Sequence, residues 1–179
     1  MKKNVCTLFL MCFIYSCQME QLPINSLADR ITEGTSKGRI LFRIIADERD
    51  LSKDYFEISS ERDKVLITGN SELSLSTGLN WYLKYVANIH LSWNNLSQKL
   101  PEVLPLPLEK IRKETPMRNR YYLNYCAYSY SMAFWNWERW EKEIDWMALH
   151  GINMPLSITG MEVVWYNLLK RLGYTTKEI

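Results

Sequence analysis

The side chains whose types and spacing could do chemistry fall into three sets: four cysteines, two histidines, and a run of aromatic and amide groups between residues 120 and 146. The cysteines are Cys6, Cys12, Cys17 and Cys126, none of them in a Cys-x-x-Cys pair, and the histidines are His90 and His150. Zinc-ligand spacing is therefore missing, and no metal or other cofactor is expected. Cys17 has a context of its own. Lys2 and Lys3 form a positive head, residues 5–15 a mostly apolar core, and Phe13-Ile14-Tyr15-Ser16-Cys17 closes it. The core is too short to span a bilayer well but suits a signal peptide. An apolar residue three before the cysteine and a small one just before it form the pattern of a bacterial lipobox. Cys17 is then the acylated first residue of an exported chain, anchored to a membrane at the periplasm or cell surface, since two or more acyl chains hold stably. Cys6 and Cys12 leave with the signal segment, so Cys126 remains without a disulfide partner.

Composition narrows the partners. The 22 basic and 20 acidic residues leave a net charge of +2 with no basic stripe, which argues against nucleic acid. The 47% hydrophobic and 23% charged content is that of a globular chain. Seven Trp, 11 Tyr and five Phe make the aromatic share 13%, and the Trp and Tyr cluster in the second half.

The elements that must position these groups divide into two blocks after residues 1–17. In the first, residues 18–112, the pattern predicts a helix from Asn25 to Gly34, capped by Asn25 or Ser26, with Leu27 and Ile31 on one face. Strands are expected at 39–45, 55–58 and 64–67, with polar turns between them. A helix over 72–87 carries Leu75, Leu79, Tyr82 and Val86 on one side, with Gly78 either a weak point or a place of close backbone packing. A fourth strand could follow at 90–93. This block holds no phosphate loop, metal cluster or carboxylate pair and reads as a scaffold. Pro101, Pro105 and Pro107, the charged stretch 110–115 and Pro116 mark the boundary.

The second block, 113–179, reads as strand, helix, strand, helix. The strands are 120–126 and 152–158. The helices are 137–150, capped by Asn136 and ended by Gly151, and 161–172, ended by Gly173. Trp137, Trp140, Ile144, Met147 and Ala148 form the apolar stripe of the first helix. Glu138–Lys142 and Arg139–Glu143 pair four apart on its outer face. The fold class is thus α/β: a small N-terminal α/β domain followed by the first two βα units of a (β/α)₈ TIM barrel. Eight strands close such a barrel, so the chain is expected to be an N-terminal fragment.

The run Arg120-Tyr-Tyr-Leu-Asn-Tyr-Cys-Ala-Tyr-Ser-Tyr-Ser, the run Trp135-Asn-Trp-Glu-Arg-Trp-Glu-Lys-Glu-Ile-Asp-Trp-Met-Ala-Leu-His-Gly-Ile-Asn, and the stretch from Gly160-Met-Glu-Val-Val-Trp165 to Leu172-Gly173-Tyr-Thr closely resemble α-N-acetylglucosaminidases of glycoside hydrolase family 89. The resemblance implies a parent enzyme that hydrolyses terminal α-linked N-acetylglucosamine from glycans with retention, using two carboxyl groups about 5–5.5 Å apart. In the family both lie on later barrel strands, so no catalytic residue carries over and the fragment itself is expected to be inactive. Asn124 and Cys126 match positions lining the terminal-sugar pocket, and Tyr130 matches a tyrosine near it. Their placement at the end of a first barrel strand suits that role. Glu162 matches a family glutamate outside the catalytic pair and is expected to be a structural anchor. The tryptophans at 137, 140 and 146 are expected to pack helix against barrel. Ile158-Thr159-Gly160-Met161 departs from the Trp-Ser-Gly-Gln of animal members. The competing reading is a non-catalytic carbohydrate-binding lipoprotein that holds glycans with the aromatic block.

Overall fold

The computed structural model describes residues 22–45, 53–157 and 160–179, without the side chains of 127–129. The proposed signal segment, Cys17, and residues 158–159 of the departing motif lie outside the described residues.

Four strands make the first sheet: β1 (Ile40–Ile44), β2 (Asp54–Glu61), β3 (Lys64–Gly69) and β4 (Ile111–Thr115), in the order β1-β3-β2-β4. β1 runs parallel to β3, and β2 is antiparallel to both β3 and β4. The turn between β2 and β3 is tighter than the polar stretch suggested. β2 continues through Ser59 and Ser60, and Arg62 and Asp63 alone turn the chain, with φ of 49° and 59°. Paired positive φ values match the right-handed twist of the flanking strands.

α1 (Pro23–Ile31) and α2 (Glu72–Tyr85) share a core with this sheet. α1 begins earlier than expected, with Pro23 in its first turn and no side-chain cap. Proline suits that position because its missing N–H would be unpaired there anyway. Ser71 caps α2 by accepting from the Ser74 N–H at 3.0 Å. Leu75, Leu79 and Tyr82 are fully buried as the stripe requires. Gly78 is a place of close packing: a Cβ there would lie 2.8 Å from Ile67 Cγ2 and 3.1 Å from Phe56 Cγ.

The fourth strand of the sheet is not 90–93, where only an isolated bridge joins Ser92 and Asn95. It is the charged stretch Ile111–Thr115, and the boundary placed between residues 112 and 113 falls inside it. The charges are what an edge strand with one wet face requires. Arg112 lies 4.0 Å over the Tyr55 ring, and Lys110 and Arg112 hold Glu57 at 2.7 and 3.0 Å. Burial would raise the Glu57 pKa, but these two hydrogen-bonded cations outweigh it and hold the group below its ordinary 4.5.

The second block is sparser in strand. β5 (Tyr121–Tyr122) and β6 (Met154–Pro155) pair in parallel, with α3 (Tyr125–Tyr130), a 3₁₀ turn over Met132–Phe134, and α4 (Trp137–Leu149) between them. α5 (Met161–Arg171) follows. Two residues per strand replace the seven expected, for separate reasons. Leu123 takes φ of +78° and turns the chain out of β5, and Pro155 has no N–H to continue a ladder. No closed barrel is formed among the described residues, which make a mixed α/β structure with a four-stranded and a two-stranded sheet.

α4 is docked on the first domain. Leu149, fully buried, joins the main core, and Asn80 of α2 donates to its carbonyl at 3.0 Å. Arg30 of α1 binds Asp145 with two hydrogen bonds of 2.6 and 2.7 Å. These bonds push the guanidinium pKa up, against the opposing effect of its burial. Arg120 ties the linker into the same junction, reaching the Gly151 carbonyl, the Asp54 carboxylate and the Met117 carbonyl.

Of the expected stripe of α4, Met147 is buried and Trp140 and Ala148 are partly buried and packed, but the helix is covered on more than one side. Glu143 and Asp145 are buried with Met147 and Leu149, whereas Trp137 and Ile144 are 69% and 45% exposed. Glu138–Lys142 is the exposed pair foreseen, at 2.9 Å; Arg139–Glu143 forms at 3.1 Å but with the carboxylate fully buried.

Candidate functional site

The site is built where β5 ends. Leu123 is held in a small cluster with Met132, backed by Tyr122, Trp135, Trp140 and Leu156. A left-handed φ at a branched residue is rarely populated and is tolerated where the surroundings over-determine it. The consequence is directional. The chain swings outward immediately after a buried side chain, and the following groups are presented at the surface.

Those groups are the three named from sequence. Asn124 is exposed directly after the turn, Cys126 is exposed in α3, and Tyr130, at the end of α3, is 85% exposed. Cys126 and Tyr130 stand four apart and so share one face of α3. The expectation that Asn124 and Cys126 end a strand is corrected: the strand stops at Tyr122, and Cys126 is helical. The Cys126 thiol is free and exposed. What survives is that all three sit on one short exposed segment at the end of the strand. Chemically the segment offers an amide that both donates and accepts, a phenol and aromatic faces, which suit a polyol.

Behind the rim lies a clamp that sequence reasoning missed. Glu143, with no exposure, accepts from Trp93 Nε1 at 2.7 Å, Tyr122 Oη at 3.0 Å and Arg139 at 3.1 Å. The Arg139 guanidinium lies 4.0 Å from the Trp135 ring centre and 4.5 Å from that of Trp93. Trp135 in turn meets Trp140 edge-on at 5.1 Å. One buried carboxylate therefore ties the first domain, through Trp93, to β5 and to the segment that holds Leu123. Burial pushes the Tyr122 hydroxyl pKa up to about 12, with the Glu143 charge and hydrogen bond adding to it. The only sequence signal was the Arg139–Glu143 spacing; its partners Trp93 and Tyr122 are remote in sequence.

Of the remaining candidates, Trp146 packs as foreseen, stacking on His150 at 4.0 Å and meeting Tyr122 at 5.2 Å. Trp137 does not; with Ile144, Pro155 and Leu156 it lines an open apolar groove of about 360 Å³. Glu162 stands exposed in the first turn of α5, a helix with no buried residue, so the anchoring role finds no contact among the described residues.

Comparison with known proteins agrees with this architecture. Residues 23–106 match the profile of the α-N-acetylglucosaminidase N-terminal domain, and residues 120–179 match that of the α-N-acetylglucosaminidase TIM-barrel domain. Human α-N-acetylglucosaminidase is 40% identical over 116 residues, 65% of this chain and 16% of the human protein. A family 89 glycoside hydrolase from Clostridium perfringens, solved with 2-acetamido-1,2-dideoxynojirmycin, superposes with a TM-score of 0.77 at 38% identity over 87% of this chain. A form of the Clostridium enzyme carrying two Glu-to-Gln changes, solved with its substrate GlcNAc-α-1,4-galactose, gives 0.79 at 37% identity. The α/β fold and these matches together place the chain in a class of glycoside-hydrolase relatives. The chain belongs to the α-N-acetylglucosaminidase family, glycoside hydrolase family 89. It spans 16–18% of the length of these relatives.

Proposed function

We propose that this chain is the N-terminal part of an exported enzyme that hydrolyses terminal α-linked N-acetylglucosamine from glycans. In this reading residues 113–179 open a TIM barrel, and Asn124, Cys126 and Tyr130 line the pocket for the terminal sugar. The observation that carries it is the pair of adjoining family matches, which run through the rim and its clamp in one chain. A relative captured with GlcNAc-α-1,4-galactose supports the glycan class.

Retaining hydrolysis needs a nucleophilic carboxylate and an acid/base carboxyl group on opposite sides of the scissile bond. This chain's part is different: it orients the sugar. Asn124 would donate to and accept from ring hydroxyls, held in place by the turn at Leu123. The isolated chain is inactive in this account.

In a protein completed with the rest of the barrel, Asn124→Ala should lower kcat/KM roughly ten- to hundred-fold, the loss of about 1–3 kcal/mol of transition-state binding. A folded variant with unchanged kcat/KM would remove Asn124 from the site. Acylation at Cys17 supplies the membrane anchor in this proposal. Wild type should enter the detergent phase in a lipoprotein-processing host and Cys17→Ala should not; equal partition would refute the anchor.

A further inference from the structure

A second groove, on the first domain's side of α4, shares no residue with the rim at Asn124, Cys126 and Tyr130. It measures about 340 Å³ and lies between the 93–97 loop, the end of α1 and one side of α4. We propose that it is a separate, non-catalytic carbohydrate site that takes one neutral pyranose unit, which goes beyond the function proposed for the rim.

The platform is Trp93. It is 47% exposed, yet its ring is fixed, because Nε1 donates to the buried Glu143 at 2.7 Å and Arg139 lies 4.5 Å from the ring centre. An exposed indole held this firmly has lost its rotamer freedom before any ligand arrives, so stacking costs little further entropy. The apolar face of a pyranose, a patch of C–H groups, is a natural partner for such a ring.

The polar groups beside it are equally well set. The loop is closed by reciprocal Ser92–Asn95 backbone hydrogen bonds of 3.0 Å and tied to α1 by Gln98 N–H to the Ile31 carbonyl, also 3.0 Å. It presents the exposed side chains of Asn94, Asn95 and Ser97, which make no hydrogen bond among the described residues. Amide and hydroxyl groups both donate and accept, as sugar hydroxyls do.

Charge selects against ions. Two cations, Arg30 and Lys142, face two carboxylates, Glu141 and Asp145. Arg30 is spent on Asp145 at 2.6 Å and Lys142 on Glu138 at 2.9 Å. The lining carries no net charge to attract a phosphate or a metal, which leaves a neutral, hydroxyl-rich ligand as the class that fits a small pocket with one aromatic wall and a few convergent polar groups.

The test is NMR titration of the chain with N-acetylglucosamine and with GlcNAc-α-1,4-galactose, following backbone amides and indole N–H signals. Saturable shifts are expected at the Trp93 indole and at residues 94–97. Asn95→Ala/Ser97→Ala, at exposed positions whose side chains make no hydrogen bond among the described residues, should weaken them at least tenfold with the rest of the spectrum unchanged. Trp93→Ala is unsuitable because it would also remove one of the three donors to the buried Glu143. Shifts confined to residues 123–130 would overturn this site while leaving the rim reading intact. Absence of shifts at 93–97, an unaffected double variant, or equal shifts with inorganic phosphate would each overturn it as well.

Discussion

Glu143 is fully buried and gathers three side-chain donors, from Trp93, Tyr122 and Arg139. Replacing it with Ala leaves Trp93 Nε1, Tyr122 Oη and Arg139 without their shared acceptor. Because Arg139 keeps some water contact, the expected loss is about 2–4 kcal/mol, read as a lower urea midpoint. Glu143→Gln retains an acceptor oxygen and should cost visibly less. Tyrosine ionisation gives a second prediction. Burial pushes Tyr82 and Tyr122 up to about 12 from the ordinary 10.0. The folded state keeps these protons where the unfolded chain releases them, so their contribution is whole below pH 10 and is lost as pH rises from 10 through 12. Tyrosinate absorbance should appear together with loss of tertiary circular dichroism in that window, and Tyr82→Phe should blunt the transition. The burial of Glu143 was not legible in the sequence. Spacing rules place an Arg–Glu pair on a helix but cannot say that a tryptophan 50 positions earlier will cover it. Asn124, Cys126 and Tyr130 were singled out only by their match to family positions, and no spacing or composition announced that they would be exposed. The strained turn that presents them was not legible either, since nothing in a leucine announces a positive φ.

Among the elements, those with strong periodicity or explicit punctuation were readable. α2 follows its apolar stripe, α4 starts at Asn136 and stops before Gly151, and β1 to β3 lie close to where β-branched residues cluster. β4 escaped because an edge strand with a charged outer face looks like a linker when its partner is unseen; Glu57 and Tyr55 supply the contacts that make Arg112 and Lys110 fit. α4 was only partly legible because it is covered from two sides, by α2 and by Tyr122 and Trp93: Met147, Trp140 and Ala148 of its stripe pack inward, Trp137 and Ile144 do not, and Glu143 and Asp145 are buried instead. Gly78 tests the packing of α2. An alanine there gains about 1 kcal/mol of helix propensity but meets Ile67 at 2.8 Å and Phe56 at 3.1 Å. Overpacking costs of about 1–3 kcal/mol should dominate. Gly78→Ala is therefore expected to lower stability by up to about 2 kcal/mol in denaturant melts; a stabilised variant would mean that the α2–sheet contact is looser than the 2.8 Å approach to Ile67 implies.

For the whole molecule, the physical boundary does not follow the family boundary. The sequence suggests that a scaffold ends near residue 112 and a second unit begins, but α4 of that second unit is fastened to the first by Leu149, by the Arg30–Asp145 pair and by the Glu143 clamp. The first domain is thus a platform that carries one βα unit in register, and through it the rim at Asn124. α5 is different in kind. It has no buried residue and exposes Val163, Val164 and Trp165 at 56–64%, more contiguous apolar surface than a stable helix leaves uncovered. Hydrogen exchange on the chain tests this arrangement most directly. The account predicts slow exchange in β2, β3, α2 and α4 alike, with one shared opening free energy, and fast exchange throughout α5. Protection that stops before Arg120, with α4 exchanging as freely as α5, would contradict it.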